Sequence, residues 1–227
     1  MKRFVIPPAR NAAFVAAMET ILATYAAPPD PRRPLICLDE AGTTLQDHLR
    51  PPQPMVPGQP AREDTEYARR GSASLVMTYA PHLGWRHVTV TDHRGNAEWA
   101  AVLRELVDVH FPDAERLTIV CDNLNTHTIG ALYTALSAAE AFRIARAIEL
   151  RYTPKHGSWL NMAELEWSVL ARQCLARRMP DRATLEQEVA AWEADRNAVA
   201  APARWTFTVD DARTHLASLY PIPARSA

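Results

Sequence analysis

The chain alternates between stretches whose apolar residues recur at helical spacing and short runs that are apolar throughout. The first helical stretch, "AAFVAAMETILATYAA", predicts an amphipathic helix within an N-terminal segment of residues 1–30. Its large apolar side chains are Phe14, Met18, Ile21, Leu22 and Tyr25. The run "LICLDEAG" follows a group of prolines and predicts a buried central strand whose carboxyl end is marked by Asp39.

Two β-rich runs come next, after a proline-rich segment. The sequence "PPQPMVPGQP" is incompatible with a central strand or a helix interior, so residues 51–70 are predicted to form an exposed loop. The sequence "SASLVMTYAPHLGWRHVTVTDH" then predicts an antiparallel hairpin that turns at "PHLG" and adjoins the first strand.

The second half of the chain continues the alternation. "NAEWAAVLRELVDVHF" predicts a helix capped by Asn96, and "RLTIVCDN" predicts a buried strand that ends at Asp122. An alanine-rich stretch from Ile129 to Ile148 predicts one long helix, "LRYTP" a third strand, and a further helix is expected to begin near Asn161. Two more helices are expected in "TLEQEVAAWEADRNAVA" and "DDARTHLASLY". This order predicts an α/β fold, a mixed sheet with helices on its faces, and ligands at the carboxyl ends of its strands.

Composition narrows the class of protein only slightly. With 227 residues, 48% hydrophobic and 22% charged, the chain is interpreted as a single globular domain over residues 1–227. Its apolar runs are too short for a membrane span and "MKRFVIPPAR" lacks the features of a secretory signal, so we expect a cytoplasmic protein with no membrane partner. Three cysteines without a CxxC pair indicate buried thiols rather than a disulfide framework or a zinc site.

Charge is balanced overall and uneven locally. The net charge of −1 leaves no basic footprint for nucleic acid over the whole chain. Residues 143–182 nevertheless contain eight Lys or Arg against four Asp or Glu, an excess of four positive charges. The simplest interpretation of this excess is a solvated helical face.

Three acidic residues stand where the predicted elements bring side chains together. Asp39 and Asp122 each end a predicted strand, and Glu164 comes early in a later helix. Carboxylates suit Mg²⁺, and two ions about 3.5–4 Å apart would hold the attacking and leaving oxygens of a phosphodiester. Each acid also has a purely structural interpretation: Asp39 as a turn former, Asp122 in an Asx turn, and Glu164 with Asn161 in a capping box.

Glu164 and Glu166 cannot share one site. Residues advance by about 100° each along a helix, so these two side chains point about 160° apart. The helical wheel places Glu164 among apolar neighbours near Trp167, where an ionised carboxylate needs a cation or a hydrogen-bonding partner. We therefore predict that Glu164 is the more demanding and functional position and that Glu166 points elsewhere.

Five motifs carry a resemblance to a known family. "CLDEAGT", "DNLNTHT", "TPKHGSWLNMAE", "RQCLARR" and "W…RN" are similar to the catalytic region of the mariner-like bacterial insertion-sequence transposases, members of the Asp-Asp-Glu superfamily. The resemblance runs from about Phe4 to Tyr220 and is most specific in "DNLNTHT" and "KHGSWLNMAE". It implies a ribonuclease-H-like fold, in which a mixed sheet is flanked by helices.

The resemblance implies a site as well as a fold. The family's catalytic and metal-binding triad falls on Asp39, Asp122 and Glu164. Members use Mg²⁺ or Mn²⁺, two ions when DNA is bound, to cleave DNA at transposon ends and to join the freed 3′ hydroxyl to target DNA. Residues beside the acids are then expected to contact DNA, although Trp159 can also be a core residue and His156 a hydrogen-bonded loop residue. The expected DNA contacts are Asn123, Asn125, His127, Lys155, His156 and Trp159.

The resemblance also implies partners. Transposon ends and target DNA are expected, together with a homodimer on DNA. Family members usually carry helix-turn-helix modules ahead of the catalytic region, whereas only about one helix precedes the first strand here. We therefore expect no helix-turn-helix domain in residues 1–227. A partner encoded upstream in the same element would supply this domain.

Two competing hypotheses stay open. An inactive fragment that binds DNA or inhibits a full-length transposase would follow from the missing module, although an intact triad argues against decay. An aspartyl phosphatase of the haloacid-dehalogenase kind would also use an Asp at the end of the first strand. Ala41 stands where the second Asp of such a phosphatase belongs, and a hairpin replaces its parallel crossover.

Overall fold

A five-stranded mixed sheet with helices on both faces organises residues 10–222, the part of the chain that the computed structural model describes. The strands are β1 (Leu35–His48), β2 (Tyr67–Ala80), β3 (Trp85–Thr91), β4 (Leu117–Cys121) and β5 (Ile148–Tyr152). The helices are α1 (Ala12–Ala26), α2 (Asn96–Glu105), α3 (Ile129–Ala135), α4 (Ala138–Ala147), α5 (Ala163–Gln173), α6 (Arg182–Val199) and α7 (Val209–His215). A π-helical turn covers Leu106–His110, and 3₁₀ turns cover Ser158–Leu160 and Ala217–Leu219. The first nine residues of the predicted N-terminal segment and residues 223–227 lie outside the described residues.

The strand order is β3-β2-β1-β4-β5, and the direction of pairing changes at β1. On one side β1 pairs antiparallel with β2, which forms the predicted hairpin with β3. On the other side β1 pairs in parallel with β4, and β4 pairs in parallel with β5. The predictions of a mixed sheet and of a hairpin beside the first strand are both confirmed.

Alternating residues of the central strand build one core on each face of the sheet, because successive side chains of a strand point to opposite faces. Leu35 and Cys37 join the face that also contains side chains of α1, α5, α6 and α7, whereas Ile36 and Leu38 join the face of α2, α3 and α4. The apolar stripe predicted for α1 is wholly buried in the first of these cores.

The edge strand β3 is covered by α6, which offers two side chains to the strand's backbone. Asn197 accepts a hydrogen bond from the Arg86 N–H at 2.9 Å and donates one to the Arg86 carbonyl at 2.8 Å. Glu193 accepts from the Val88 N–H at 2.9 Å. These contacts satisfy backbone groups that an uncovered edge would present to another strand. The Asn of the "W…RN" motif therefore has a structural role.

Two predicted boundaries at β1 and β2 are wrong. β1 does not end at Asp39 but continues to His48, because its pairing with β2 extends well beyond its pairing with β4. Residues Tyr67–Arg70, assigned to the proline-rich loop, belong to β2 for the same reason. The remaining loop, residues 51–66, is largely exposed as predicted, and two isolated bridges fold it back on itself.

The helical predictions also need correction. The alanine-rich stretch forms two helices, because Ser137 interrupts it and caps α4 by accepting from the Glu140 N–H at 3.3 Å. Asn96 does not cap α2, since Gly95 occupies the cap position. Val109 stands at helical spacing from Trp99, Val102 and Leu106 in the sequence, which predicts that it is buried. It is 66% exposed because the π-helical turn changes the register there.

Two expectations from composition can be compared with the fold. In residues 10–222, no helix combines the length and the apolar character needed to cross a membrane. The three cysteines, Cys37, Cys121 and Cys174, are free and buried, as expected for small apolar side chains.

Candidate active site

Two of the predicted acids lie where β1 and β4 stop pairing. The parallel register joins Cys37 to Val120, and Asp39 and Asp122 each follow two residues later. β4 ends at Cys121, whereas β1 continues against β2, so Asp39 lies within a strand and Asp122 begins a loop. The interpretation of Asp39 as a turn former is therefore wrong, and the two carboxylates stand at the same level of the sheet.

The N-terminus of α5 is fastened to β1 beside Asp39. Asn161 donates from Nδ2 to the Leu38 carbonyl at 2.8 Å, and its Oδ1 accepts from the Ala163 N–H at 3.1 Å. The capping box considered for Asn161 and Glu164 is not formed, since Met162 occupies the N-cap position and its side chain makes no capping hydrogen bond. Asn161 instead joins α5 to β1, and Glu164 is exposed in the first turn of α5.

The neighbouring acids are close enough to Asp39 to raise its pKa. The pKa of Asp39 is raised to about 7, mainly by burial and to a smaller extent by the charges of Glu164, Asp122 and Glu40. The Glu40 N–H, 2.9 Å from Asp39 Oδ1, opposes this rise by stabilising the ionised form. The ligand atoms of Asp39, Asp122 and Glu164 are not all within 4.8 Å of one another. The site is thus a loose group of carboxylates, and Asp39 ionises less readily than an ordinary aspartate.

His127 lies between two carboxylates of this group. Its Nδ1 is 2.6 Å from Asp122 Oδ1 and its Nε2 is 3.1 Å from Glu40 Oε1, while its ring stacks on Trp99 at 4.2 Å between centroids. Burial alone would lower the pKa of His127, but the hydrogen bonds and charges of Asp122 and Glu40 raise it to about 9. At neutral pH the ring is therefore an imidazolium that donates to both acids.

The burial of His127 corrects the prediction that it contacts DNA. Its side chain is 1% exposed, and both ring nitrogens already have carboxylate partners. The same contacts replace the Asx turn considered for Asp122, whose Oδ1 bonds the His127 ring. Sequence reasoning missed Glu40 altogether, although it directly follows Asp39 and its charge offered a signal.

The other five residues expected to contact DNA remain accessible to different degrees. Asn123 and Asn125 are exposed in the loop after β4. Lys155 and His156 are exposed in the turn before α5, where His156 has a φ of 66° in the left-handed region. Trp159 is half-buried and stacks on a tryptophan of the C-terminal segment, with 6.4 Å between the ring centroids. This contact also fits the interpretation of Trp159 as a core residue.

Glu166 is the buried acid of α5, and the expectation that Glu164 is the more demanding position is wrong. The Glu166 side chain is 6% exposed, with Oε2 3.1 Å from Arg86 Nε and Oε1 3.0 Å from Arg196 Nη2. The Arg86 pair is a charge contact rather than an aligned hydrogen bond, because within residues 10–222 Arg86 Nε has no hydrogen-bond partner. Glu166 does point away from Glu164, as the helical wheel predicted.

The local excess of positive charge is largely taken up by ion pairs. Five of the eight cations between residues 143 and 182 have an acidic partner, which agrees with their interpretation as a solvated face. These five are Arg143, Arg151, Arg177, Arg178 and Arg182.

Three solved structures of Mos1 transposase are similar to this fold. The Mos1 mariner paired end complex with Mn matches 86% of this chain and 59% of its own, with 16% identity and a TM-score of 0.55. The paired end complex with Mg matches 98% and 67%, with 16% identity and a TM-score of 0.58. The Mos1 Strand Transfer Complex matches 86% and 58%, with 14% identity and a TM-score of 0.54. At such identities the likeness concerns the fold, and it confirms the predicted ribonuclease-H-like sheet flanked by helices.

The family itself is established from the sequence. The chain spans about three fifths of the length of the first Mos1 chains that it matches. No curated protein matches it. The family described as DDE superfamily endonuclease matches residues 34–186, a range that covers more than half of the chain and includes Asp39, Asp122 and Glu164. The chain therefore belongs to the DDE superfamily endonuclease family.

Proposed function

We propose that this chain is the catalytic domain of a transposase, which cleaves DNA at transposon ends and transfers the cut strand into target DNA with the help of divalent metal ions. The observation that carries the proposal is the proximity of three acids from separate elements, since the charges of Asp122 and Glu164 both raise the pKa of Asp39. All three lie in the part of the chain that matches the endonuclease family. The similar Mos1 structures include complexes with transposon ends and a strand transfer complex.

The three acids fit Mg²⁺ or Mn²⁺ as ligands. These cations prefer carboxylate oxygens, and a nearby positive charge would lower the raised pKa of Asp39 and keep it ionised at neutral pH. When bound, two such ions would supply a nucleophile at neutral pH and stabilise the charge that develops on the phosphate. The Mos1 structures with Mn and with Mg support this choice of metals.

Two residues are proposed to position these ligands. His127 donates to both Asp122 and Glu40, so it restricts the orientation of the Asp122 carboxylate. Asn161 ties the first turn of α5 to the Leu38 carbonyl and so brings Glu164 to the side of the sheet where Asp39 stands.

The accessible residues around the acids are proposed to bind DNA. Exposed amide and cationic groups are typical contacts for phosphates, which suits Asn123, Asn125, Lys155 and His156. The half-buried Trp159 has an aromatic face that can stack on a base. A homodimer on DNA, and a helix-turn-helix product of the same element that reads the transposon ends, complete the proposed assembly.

A plasmid-nicking assay tests the catalytic proposal. Supercoiled DNA that carries inverted repeats is incubated with Mn²⁺ and the protein, and the rate of relaxation is measured. Asp39→Asn, Asp122→Asn and Glu164→Gln are each expected to lower this rate more than about 100-fold, because each removes a metal ligand. Asp113→Asn, which changes an exposed acid before β4, is the matched control and should retain the full rate.

Equal nicking by the wild type and by Asp122→Asn would overturn the catalytic proposal for this chain. A gel shift run beside the assay distinguishes the enzyme from the competing hypothesis of an inactive fragment. Metal-independent DNA binding without cleavage would favour a binding or inhibitory fragment over an enzyme.

A further inference from the structure

A second group of metal-ligating side chains lies two strands away from the acids. It consists of His87 on β3, Glu105 at the end of α2 and His110 at the end of the π-helical turn. One ligand atom from each lies within 4.8 Å of the other two, and residues 10–222 contain no other group of three His, Cys, Asp or Glu with this spacing. β2 separates β3 from β1, so this group is distinct from the candidate active site.

The distances within the group suit a shared ion better than hydrogen bonds. Glu105 Oε1 lies 3.6 Å from His87 Nε2 and 3.5 Å from His110 Nε2. Two ligands that bind one zinc ion at its usual bond lengths in a tetrahedron stand roughly 3.3 Å apart, whereas an N–H···O hydrogen bond is about 2.7–3.2 Å long. His110 Nε2 is buried and, within residues 10–222, has no hydrogen-bond partner. A cation among these three atoms would satisfy it.

The backbone brings Glu105 and His110 onto one side of their helix. In an α-helix, residues five apart point about 140° away from each other. The turn Leu106–His110 is π-helical, with the Phe111 N–H donating to the Leu106 carbonyl at 2.9 Å, so one extra residue is accommodated per turn. The uncommon turn therefore explains how two potential ligands with this spacing meet.

The surroundings of the group resemble those of histidine metal sites. His87 Nδ1 is 2.9 Å from Glu193 Oε1, a contact that holds the ring and leaves Nε2 for a metal. The Trp85 ring lies 4.8 Å from the His110 ring, which supplies an apolar wall. Glu105 and Glu193 leave the pocket with negative charge that a dication would balance.

We propose that His87, Glu105 and His110 bind a zinc-class transition-metal ion, with water as the fourth ligand. Two imidazole nitrogens and one carboxylate form a set that zinc prefers and that Mg²⁺ does not. The ion joins β3 to α2, and through Glu193 it also reaches α6. It holds the edge of the sheet together and takes no part in the chemistry at Asp39.

Zinc titration of the chelator-treated protein tests this site. Equilibrium dialysis against buffered Zn²⁺ in excess Mg²⁺ should find one tightly bound equivalent, and Co²⁺ in its place should give the visible absorption of a tetrahedral site. Glu105→Gln and His110→Gln are expected to weaken zinc binding at least tenfold, and Glu193→Gln about 10- to 100-fold. Zinc should raise the melting temperature of the wild type and not that of His110→Gln.

Two variants provide the controls. His93→Ala removes an exposed histidine just after β3, and Asp39→Asn changes the acidic group, so both should bind zinc like the wild type. The site is ruled out if no stoichiometric zinc binds, or if binding is lost in Asp39→Asn and kept in His110→Gln. Circular dichroism without metal identifies a variant that fails to fold, in which case Glu105→Gln alone decides.

Discussion

The substitution Arg86→Met is expected to lower the free energy of unfolding by about 3 kcal/mol. The side chains of Arg86 and Glu166 are 1% and 6% exposed, so neither charge is compensated by water. Removing one partner of a buried ion pair costs about 3–5 kcal/mol, because the other charge stays in a medium of low polarity. Arg196, whose side chain is 28% exposed, still contacts Glu166 at 3.0 Å and keeps the cost at the lower end.

Guanidinium denaturation of four proteins measures this effect. Besides the wild type and Arg86→Met, the double variant Arg86→Met/Glu166→Met removes both buried charges, and Glu164→Gln changes the exposed glutamate of the same helix. The double variant should recover most of the lost stability, since well-packed apolar side chains often replace a buried pair at little cost. Glu164→Gln should stay within about 0.5 kcal/mol of the wild type.

Either of two results would refute this account of the buried pair. A loss below about 1 kcal/mol in Arg86→Met would show that Glu166 is not an uncompensated charge without Arg86. A double variant that is no more stable than Arg86→Met would show that Glu166 is not the charge left uncompensated when Arg86 is removed.

Three further predictions concern other parts of the fold. In the presence of chelator, Asp39→Asn should be more stable than the wild type at pH 8 by at most about 4 kcal/mol. The wild type loses stability as the pH rises from 3.8 through about 7, because the Asp39 carboxyl must then ionise in a buried position. Urea titrations should show that the difference vanishes below pH 4. Gly84→Ala should lower the melting temperature, since Gly84 has a φ of 62° and an added Cβ would stand 2.6 Å from the Ala200 backbone. Tyr25→Phe should cost about 1–2 kcal/mol in denaturant unfolding, because it leaves the buried Leu160 carbonyl without its 2.6 Å hydrogen bond.

Features with a fixed period along the chain could be predicted from the sequence. The apolar stripe of α1 and the strand runs around Leu38 and Val120 needed only the spacing of neighbouring residues, and they are buried as predicted. Asp39 and Asp122 were found as candidates for the same reason, because each follows an apolar strand run. The carboxyl end of β1 and the start of β2 were mispredicted because they depend on which neighbouring strand continues, and that is a property of the sheet.

Contacts between distant parts of the chain could not be predicted in this way. The burial of Glu166 depends on Arg86, which comes from a strand 80 positions earlier, and a helical wheel contains no information about that strand. His127 is buried because Glu40 accepts from it across 87 positions. The spacing of apolar residues does not predict the π-helical turn that exposes Val109.

The positions of the two glutamates of α5 depend on each other, because contacts on two sides fix the orientation of the helix. Glu166 is fixed under Arg86 and Arg196, which sets the rotation of the helix about its axis. Side chains two positions apart point about 160° from each other, so fixing Glu166 directs Glu164 to the opposite side. Asn161 fixes the height of the first turn against β1, and the charge of Glu164 acts there on Asp39. The buried, non-catalytic glutamate is thus a condition for the position of the exposed one.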